Sequence, residues 1–366
     1  MRLVRDFGRR VLVVVLLAAA LEACAGPDDG PDVDEEGAPA PASPDLQVAL
    51  TLSDVAYAAH EPVLATVTIT NVGNRPLALT SWFLPGADLE EPLFQLVRDR
   101  GDLAAFVGAH YKRPPAEPAD LVTLAAGSTL STTVDLGQFY DLSVTADYDV
   151  RVAIDGGALI GADARGTTLV SNTVRAWIEG RTAPVVRAAH VDTQLGALGF
   201  SRCSADQQAT AASAVAAAST LSSNALAYLT MKAPSATARY TTWFGAFSVA
   251  GWNLARDHFA AIAAAFADQP ISIDCRCNKR YYAYVYSSEP YNIYLCRIFW
   301  QAPLVGADSQ AGTLIHEMSH FDVTASTDDW AYGQSASMRL ADQHPERALD
   351  NADNHEYFAE NAPPLP

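Results

Sequence analysis

The chain has 366 residues, 49% of them apolar, and a formal net charge of −18. That length supports two domains with cores of their own, and the apolar share excludes a disordered chain. The acidity excludes nucleic acid as a partner, because phosphate would be repelled, and fits a soluble exported protein that meets basic substrates.

The N-terminus reads as an export signal. A basic run, MRLVRDFGRR, precedes VLVVVLLAAAL, an apolar stretch too short to span a bilayer comfortably. LEAC then sets Leu21 three residues before Cys24, which resembles a bacterial lipoprotein signal, and lipid on Cys24 would anchor the chain to the cell envelope. Ala23-Cys24-Ala25 also offers an ordinary cleavage site that would release a secreted protein. Residues 1–24 are therefore expected to be a signal, and residues 25–45 an acidic Pro/Ala-rich tether that cannot bury a core.

From Leu46 to Gly180, short alternating segments such as LQVALTL, LATVTITN and YDVRVAI are separated by Gly, Pro, Asn and Asp. This pattern predicts an all-β sandwich over 46–180. It shows no catalytic cluster, and His60 and His110 read as isolated surface or packing residues. Residues 181–198 read as a loose junction, and 199–366 as an α+β domain. There, SADQQATAASAVAAASTLSSNALAYL predicts a long helix with Ser204 and Gln207 spaced as a capping box. WNLARDHFAAIAAAFAD predicts a second helix with His258 on its face, and CNKRYYAYVYSSEPYNIYLCRIFW two aromatic strands joined by a turn. Cys203, Cys275, Cys277 and Cys296 are an even set in an exported chain and predict two disulfides. Spacing alone leaves three connectivities open.

The segment GTLIHEMSHFDVTASTDDWAYG, residues 312–333, carries the chemistry. On a helix, His316 and His320 share a face and can aim two imidazoles at one ion, with Glu317 beside it as a base. An HExxH arises by accident in about one chain in a hundred of this length, so a third ligand decides its meaning. A third histidine at the HExxHxxGxxH position is excluded, since Val323 and Ser326 stand at the Gly and His places. Two candidates remain: Glu346, in a thermolysin-like E-x-x-x-D with Asp350, and an aspartate in STDDWAYG, where Asp328 neighbours Asp329.

GTLIHEMSH followed by STDDWAYG resembles the aspzincins, the deuterolysin and peptidyl-Lys metalloendopeptidase family, with Ser326 in place of the usual Gly. The likeness extends to YTTWFG (240–245) and NADNHEYFAEN (351–361), and covers most of 199–362. It implies a zinc metalloendopeptidase of zincin type holding one Zn²⁺ per chain through His316, His320 and Asp329. Glu317 would activate water, and Tyr332 would stabilise the transition state. It also implies the disulfides Cys203–Cys275 and Cys277–Cys296, and a β-rich propeptide over 46–180. In the lysine-specific branch, the acid matching Asp353 belongs to a pocket for the residue after the scissile bond, and Glu356 shares its helix face. Protein or peptide substrates with lysine at that position are expected, cut by a monomer made as a latent precursor. A surface binding protein with an inert zinc domain, or a metallohydrolase of another substrate, are the rival readings. Lysine is scarce, occurring only at Lys112, Lys232 and Lys279, as a GC-rich genome would give.

Overall fold

Alternation governs the N-terminal half. Every second residue of Leu64–Asn71 is buried, as a strand with one face on a core requires. It pairs antiparallel with Leu46–Leu52 on one side and Thr129–Asp135 on the other. Its outward threonines meet partners across the ladder, Thr66 with Thr133 at 2.9 Å and Thr70 with Thr129 at 3.1 Å. A second sheet is built on Ala146–Asp155, which pairs with Phe94–Arg98, Thr168–Val170 and Val174–Ile178. Leu50, Val67 and Ile69 of the first sheet and Val150, Val152 and Ile154 of the second share one apolar core. The region is β-rich, as its sequence pattern requires.

This computed structural model describes residues 45–86, 88–99, 101–160, 167–182 and 191–366. The expected signal over 1–24 with Cys24, and all of the tether but Asp45, lie outside the described residues. The described residues belong to one compact unit, Pro41–Pro366. Among them, no helix is long and apolar enough to cross a membrane.

The C-terminal half is α+β. Helix Ala205–Met231 begins as its capping box predicts: Ser204 Oγ accepts the Gln207 N–H, and Gln207 Oε1 accepts the Ser204 N–H. The small buried residues Ala211, Ala214 and Ala218 let it pack closely on Val249–Asp268, whose Trp252, Phe259 and Ile262 fill the same core. Helix Gln310–His320 is buried along its whole length and packs against both Ala205–Met231 and Ala352–Glu360. Gly312 permits that approach: a Cβ there would stand 2.0 Å from Glu360 Oε1. The same Glu360 oxygen accepts the Ser309 N–H at 2.9 Å and the Ser309 hydroxyl at 2.7 Å, holding the start of the helix.

A six-stranded sheet lies with these helices, in the order Thr193–Leu195, Leu198–Ser201, Ile271–Asp274, Asn292–Leu295, Ala283–Tyr286, Ala109–Lys112. Its first strand falls within the expected loose junction, where Thr193–Leu195 pairs antiparallel with Leu198–Ser201. The two aromatic strands pair antiparallel as predicted. The last strand comes from the β-rich half of the sequence and runs antiparallel to Ala283–Tyr286, with Lys112 opposite Ala283. Cys203 is bonded to Cys275 and Cys277 to Cys296, the pairing that the resemblance implied.

Candidate metal centre and adjoining cation pocket

Helix Gln310–His320 carries His316 and His320 one turn apart, with ring centroids 4.9 Å from one another. The chain then reverses through Ser326, at φ +51°, a region that favours glycine. That turn brings the Thr327 carbonyl to 2.7 Å from His320 Nδ1. A carbonyl only accepts, so Nδ1 carries the proton and the Nε2 lone pair faces inward. His316 Nδ1 lies 2.7 Å from Asp353 Oδ1, which fixes the same tautomer. Asp329 arrives opposite both rings, Oδ1 at 3.3 Å from His316 Nε2 and Oδ2 at 3.5 Å from His320 Nε2. The loop bearing it is held by Asn351, whose Oδ1 accepts the N–H groups of Trp330 and Ala331 at 2.8 and 3.0 Å.

His316 Nε2, His320 Nε2, Asp329 Oδ1 and both Glu317 oxygens are buried without a hydrogen-bond partner. Buried polar groups are almost always paired, so convergent orphans mark a place for something else. Two imidazole nitrogens and one carboxylate oxygen are a donor set that suits zinc with one position open. The electrostatics agree. Burial would lower the pKa of His316, yet the charges of Asp329 and Asp353 lift it to about 10. Burial would raise Asp329, but His320 and His316 drive it far below the usual carboxylate range. Asp329 is thus ionised beside a His316 that favours a positive charge, and a metal ion bound there would displace the His316 Nε2 proton and supply that charge itself. His320 is pushed down to about 3 by burial and stays neutral, as a ligand must. Burial raises Glu317 to about 8, with His316 opposing and the Asp329 charge adding.

Behind His316, helix Ala352–Glu360 presents Asp353 and Glu356, both buried. Two acids in a helix more often read as a cap and a solvated carboxylate, and here neither is. Asp353 Oδ1 receives His316 Nδ1, and its Oδ2 accepts the Gly333 N–H at 2.6 Å. The ammonium of Lys112 lies 2.5 Å from Glu356 Oε2, 3.2 Å from Asp353 Oδ1 and 3.7 Å from Asp308 Oδ1. The rings of Tyr282 and Tyr357 flank it at 5.2 and 5.6 Å. Burial would lower the Lys112 pKa, but Asp353, Glu356 and Asp308 together raise it well above the ordinary value. The Tyr332 hydroxyl meets Arg113 Nη1 at 2.9 Å and Glu91 Oε1 at 3.2 Å.

Several residues stand elsewhere than expected. His110 is not an isolated surface or packing histidine: its ring stacks on His320 at 4.7 Å, and it groups with His320 and Asp329 as a possible metal-ligating set. Asp328, the neighbour of Asp329, turns toward His110, with 3.6 Å between their side chains. Glu346 has a side chain 70% exposed and paired with His344, whereas the orphan set is buried, so it does not join the histidines. His258 reaches in from its helix, its Nδ1 3.0 Å from His355 Nε2. Sequence reasoning missed Asp308, Tyr282, Tyr357, Glu91 and Arg113; Tyr357 lies in NADNHEYFAEN beside Glu356, and the other four in no local motif that marks them.

A buried helix with two histidines facing an aspartate, and a glutamate between them, defines a metal-dependent hydrolase. The comparisons with known proteins sharpen that class. A family model described as lysine-specific metallo-endopeptidase, the aspzincins, matches residues 229–360. An extracellular protease of Aeromonas hydrophila is 39% identical over 313 residues, covering 83% of this chain and 89% of that protein. A peptidyl-Lys metalloendopeptidase of Armillaria mellea is 34% identical over 345 residues, covering 88% and 93%. A solved zinc peptidase of Grifola frondosa shares 43% identity with a TM-score of 0.43, over 45% of this chain and all of that one. The chain belongs to the aspzincin family and is a zinc metalloendopeptidase acting on proteins or peptides.

Proposed function

We propose that this peptidase cuts on the N-terminal side of lysine, holding one zinc per chain through His316, His320 and Asp329. The observation that carries the specificity is the buried pair Asp353 and Glu356, set beside the histidine helix and closed around an ammonium. Such carboxylates reject an apolar side chain, which would leave them desolvated and unpaired. The names of the relatives from Armillaria mellea and Grifola frondosa, peptidyl-Lys metalloendopeptidases, support the same preference.

Zinc, when bound, supplies Lewis acidity that acidifies water and polarises the peptide carbonyl. The remaining chemistry belongs to the chain. Glu317, adjacent to His316 and free of hydrogen bonds, accepts the proton of the attacking water and returns it to the leaving amine. Burial first and the Asp329 charge with it raise its affinity for a proton, which strengthens it as a base and helps it keep the proton until the amine leaves. The Tyr332 hydroxyl, kept protonated by burial first and then by the Asp329 and Glu91 charges, donates to the developing oxyanion. Asp353 has two tasks, orienting His316 through Nδ1 and contributing to the cation pocket.

Export fits the sequence of residues 1–24, with Cys24 as the site of a lipid anchor. Residues 46–180 serve as a propeptide-like region that keeps the enzyme latent, 181–198 as the junction to be cut, and 199–366 as the catalytic domain. The enzyme acts as a monomer. The test is a map of cut sites in a mixed peptide library treated with activated enzyme. Cleavage clustered before lysine supports the reading, and cleavage indifferent to lysine refutes it.

A further inference from the structure

We propose that Asp308, held in place by the Tyr357 hydroxyl, is a specificity-determining residue of this peptidase, supplying the acid that closes the lysine pocket on its solvent side. This rests on reading Asp353 and Glu356 as that pocket.

The acceptors around the ammonium carry the inference. A lysine ammonium has three N–H donors and no acceptor, so a closed pocket has three donors to satisfy. The ammonium seated here has Glu356 Oε2 at 2.5 Å, Asp353 Oδ1 at 3.2 Å and Asp308 Oδ1 at 3.7 Å. Asp353 is shared with the metal centre: the same Oδ1 lies 2.7 Å from His316 Nδ1, and its Oδ2 accepts the Gly333 N–H. Glu356 and Asp308 are the acids left to the cation. Exposure separates their tasks. The Glu356 side chain is fully buried, whereas that of Asp308 is 44% exposed and borders solvent, where an arriving cation meets it first.

The backbone is built to aim that side chain. Asp308 has a φ of +52°, a region strained for any residue with a Cβ. Its N–H donates to Glu360 Oε2 at 3.2 Å, and its Oδ1 accepts the Tyr357 hydroxyl at 2.6 Å. The Tyr357 ring is buried 5.6 Å from the ammonium, so one side chain both walls the cation and orients the carboxylate. Ser309, the next residue, caps helix Gln310–His320. Lysine recognition and the two histidines therefore share one rigid element.

A helix-start role does not account for this acid. A carboxylate near a helix N-terminus is favourable in itself, but here that task is filled. Ser309 Oγ accepts the Gly312 N–H at 2.9 Å, and Glu360 accepts the Asp308 and Ser309 N–H groups. The Asp308 carboxylate makes none of these contacts and turns instead to Tyr357 and the ammonium.

The experiment matures the full chain to active enzyme and measures kcat/KM on a lysyl peptide and its norleucyl counterpart. Wild type is compared with Asp308→Asn, Asp308→Gly, Tyr357→Phe and the double variant Asp308→Asn with Tyr357→Phe, and Glu356→Gln is the reference. Asn and Gly both suit a positive φ, so the fold is kept. Solvent screens a half-exposed acid, so the lysyl-to-norleucyl ratio should fall by about three- to tenfold in both Asp308 variants, through KM. Added salt should narrow the gap between wild type and Asp308→Asn, which a merely structural residue would not show. Tyr357→Phe should lower the ratio alone but add nothing to Asp308→Asn, because it acts through that carboxylate. An unchanged ratio in both Asp308 variants, beside a lowered one in Glu356→Gln, overturns the inference and leaves the pocket standing. A wild type that cuts both peptides alike refutes the pocket and the inference with it. Additive losses from Tyr357→Phe and Asp308→Asn overturn the positioning role of Tyr357.

Discussion

Replacing Glu356 by Gln separates lysine recognition from catalysis more cleanly than any change at Asp353. Glu356 lies 2.5 Å from the ammonium now held in the pocket, and its side chain is fully buried. Removing one partner of a buried pair costs about 3–5 kcal/mol. Asp353 remains 3.2 Å from the same ammonium, so the lower end applies. At 1.4 kcal/mol per tenfold, about 3 kcal/mol is roughly a hundredfold loss in kcat/KM for a lysyl peptide. A norleucyl peptide should be cut as before, because a neutral side chain loses nothing when the acid is neutralised. Asp353→Asn should behave differently. Its carboxylate also receives His316 Nδ1, so both peptides should slow, by about 10- to 100-fold for a disturbed ligand orientation. The assay is kcat/KM for the two peptides with activated wild type and both variants. A lysyl-to-norleucyl ratio that survives Glu356→Gln refutes the pocket.

Three further outcomes follow from the surrounding structure. Asn351→Ala removes the acceptor for the Trp330 and Ala331 N–H groups, and should lower stability by about 1–3 kcal/mol, measured by denaturant unfolding. It should weaken zinc affinity as well, because that loop carries Asp329. Ser326→Gly relieves a φ of +51° and should raise stability by about 1 kcal/mol, visible as a higher unfolding midpoint. The half-buried His258 and the buried His355 should make folding acid-sensitive. Burial lowers them to about 4 and about 3 from the ordinary 6.5, so the folded state keeps both neutral while the unfolded chain binds protons. Their contribution is therefore complete above pH 6.5 and is lost as pH falls toward 4, by roughly 1–3 kcal/mol per pH unit. His258→Gln should flatten that part of the melting profile, and an unchanged slope would contradict the assignment.

What the sequence revealed divides by the range of the interaction. The capping box at Ser204 and Gln207, the alternation in Leu64–Asn71 and the i, i+4 histidines are local patterns, and each appears where its periodicity predicts. The disulfide pairing and the choice of Asp329 over Glu346 were not legible from spacing, and rested on the family resemblance. Asp308, Tyr282 and Tyr357 come together from three separate segments, so no window of sequence contains the pocket they line with Asp353 and Glu356. His110 and Lys112 were the least legible. A lone histidine and a lone lysine near a strand carry no local signal, and their meaning depends on a pairing with Ala283–Tyr286, more than 170 residues away. The scarcity of lysine was visible at once, but not that one of the three lies buried against two acids.

The most direct test of the metal centre is zinc content measured beside peptide turnover for three activated proteins: wild type, Glu317→Gln and Asp329→Ala. The account predicts one zinc per chain in wild type. Glu317→Gln should keep that zinc and lose at least about a hundredfold in turnover, because it removes a base and no ligand. Asp329→Ala should lose both zinc and activity. Near-normal turnover in Glu317→Gln, or full zinc in Asp329→Ala, would contradict it.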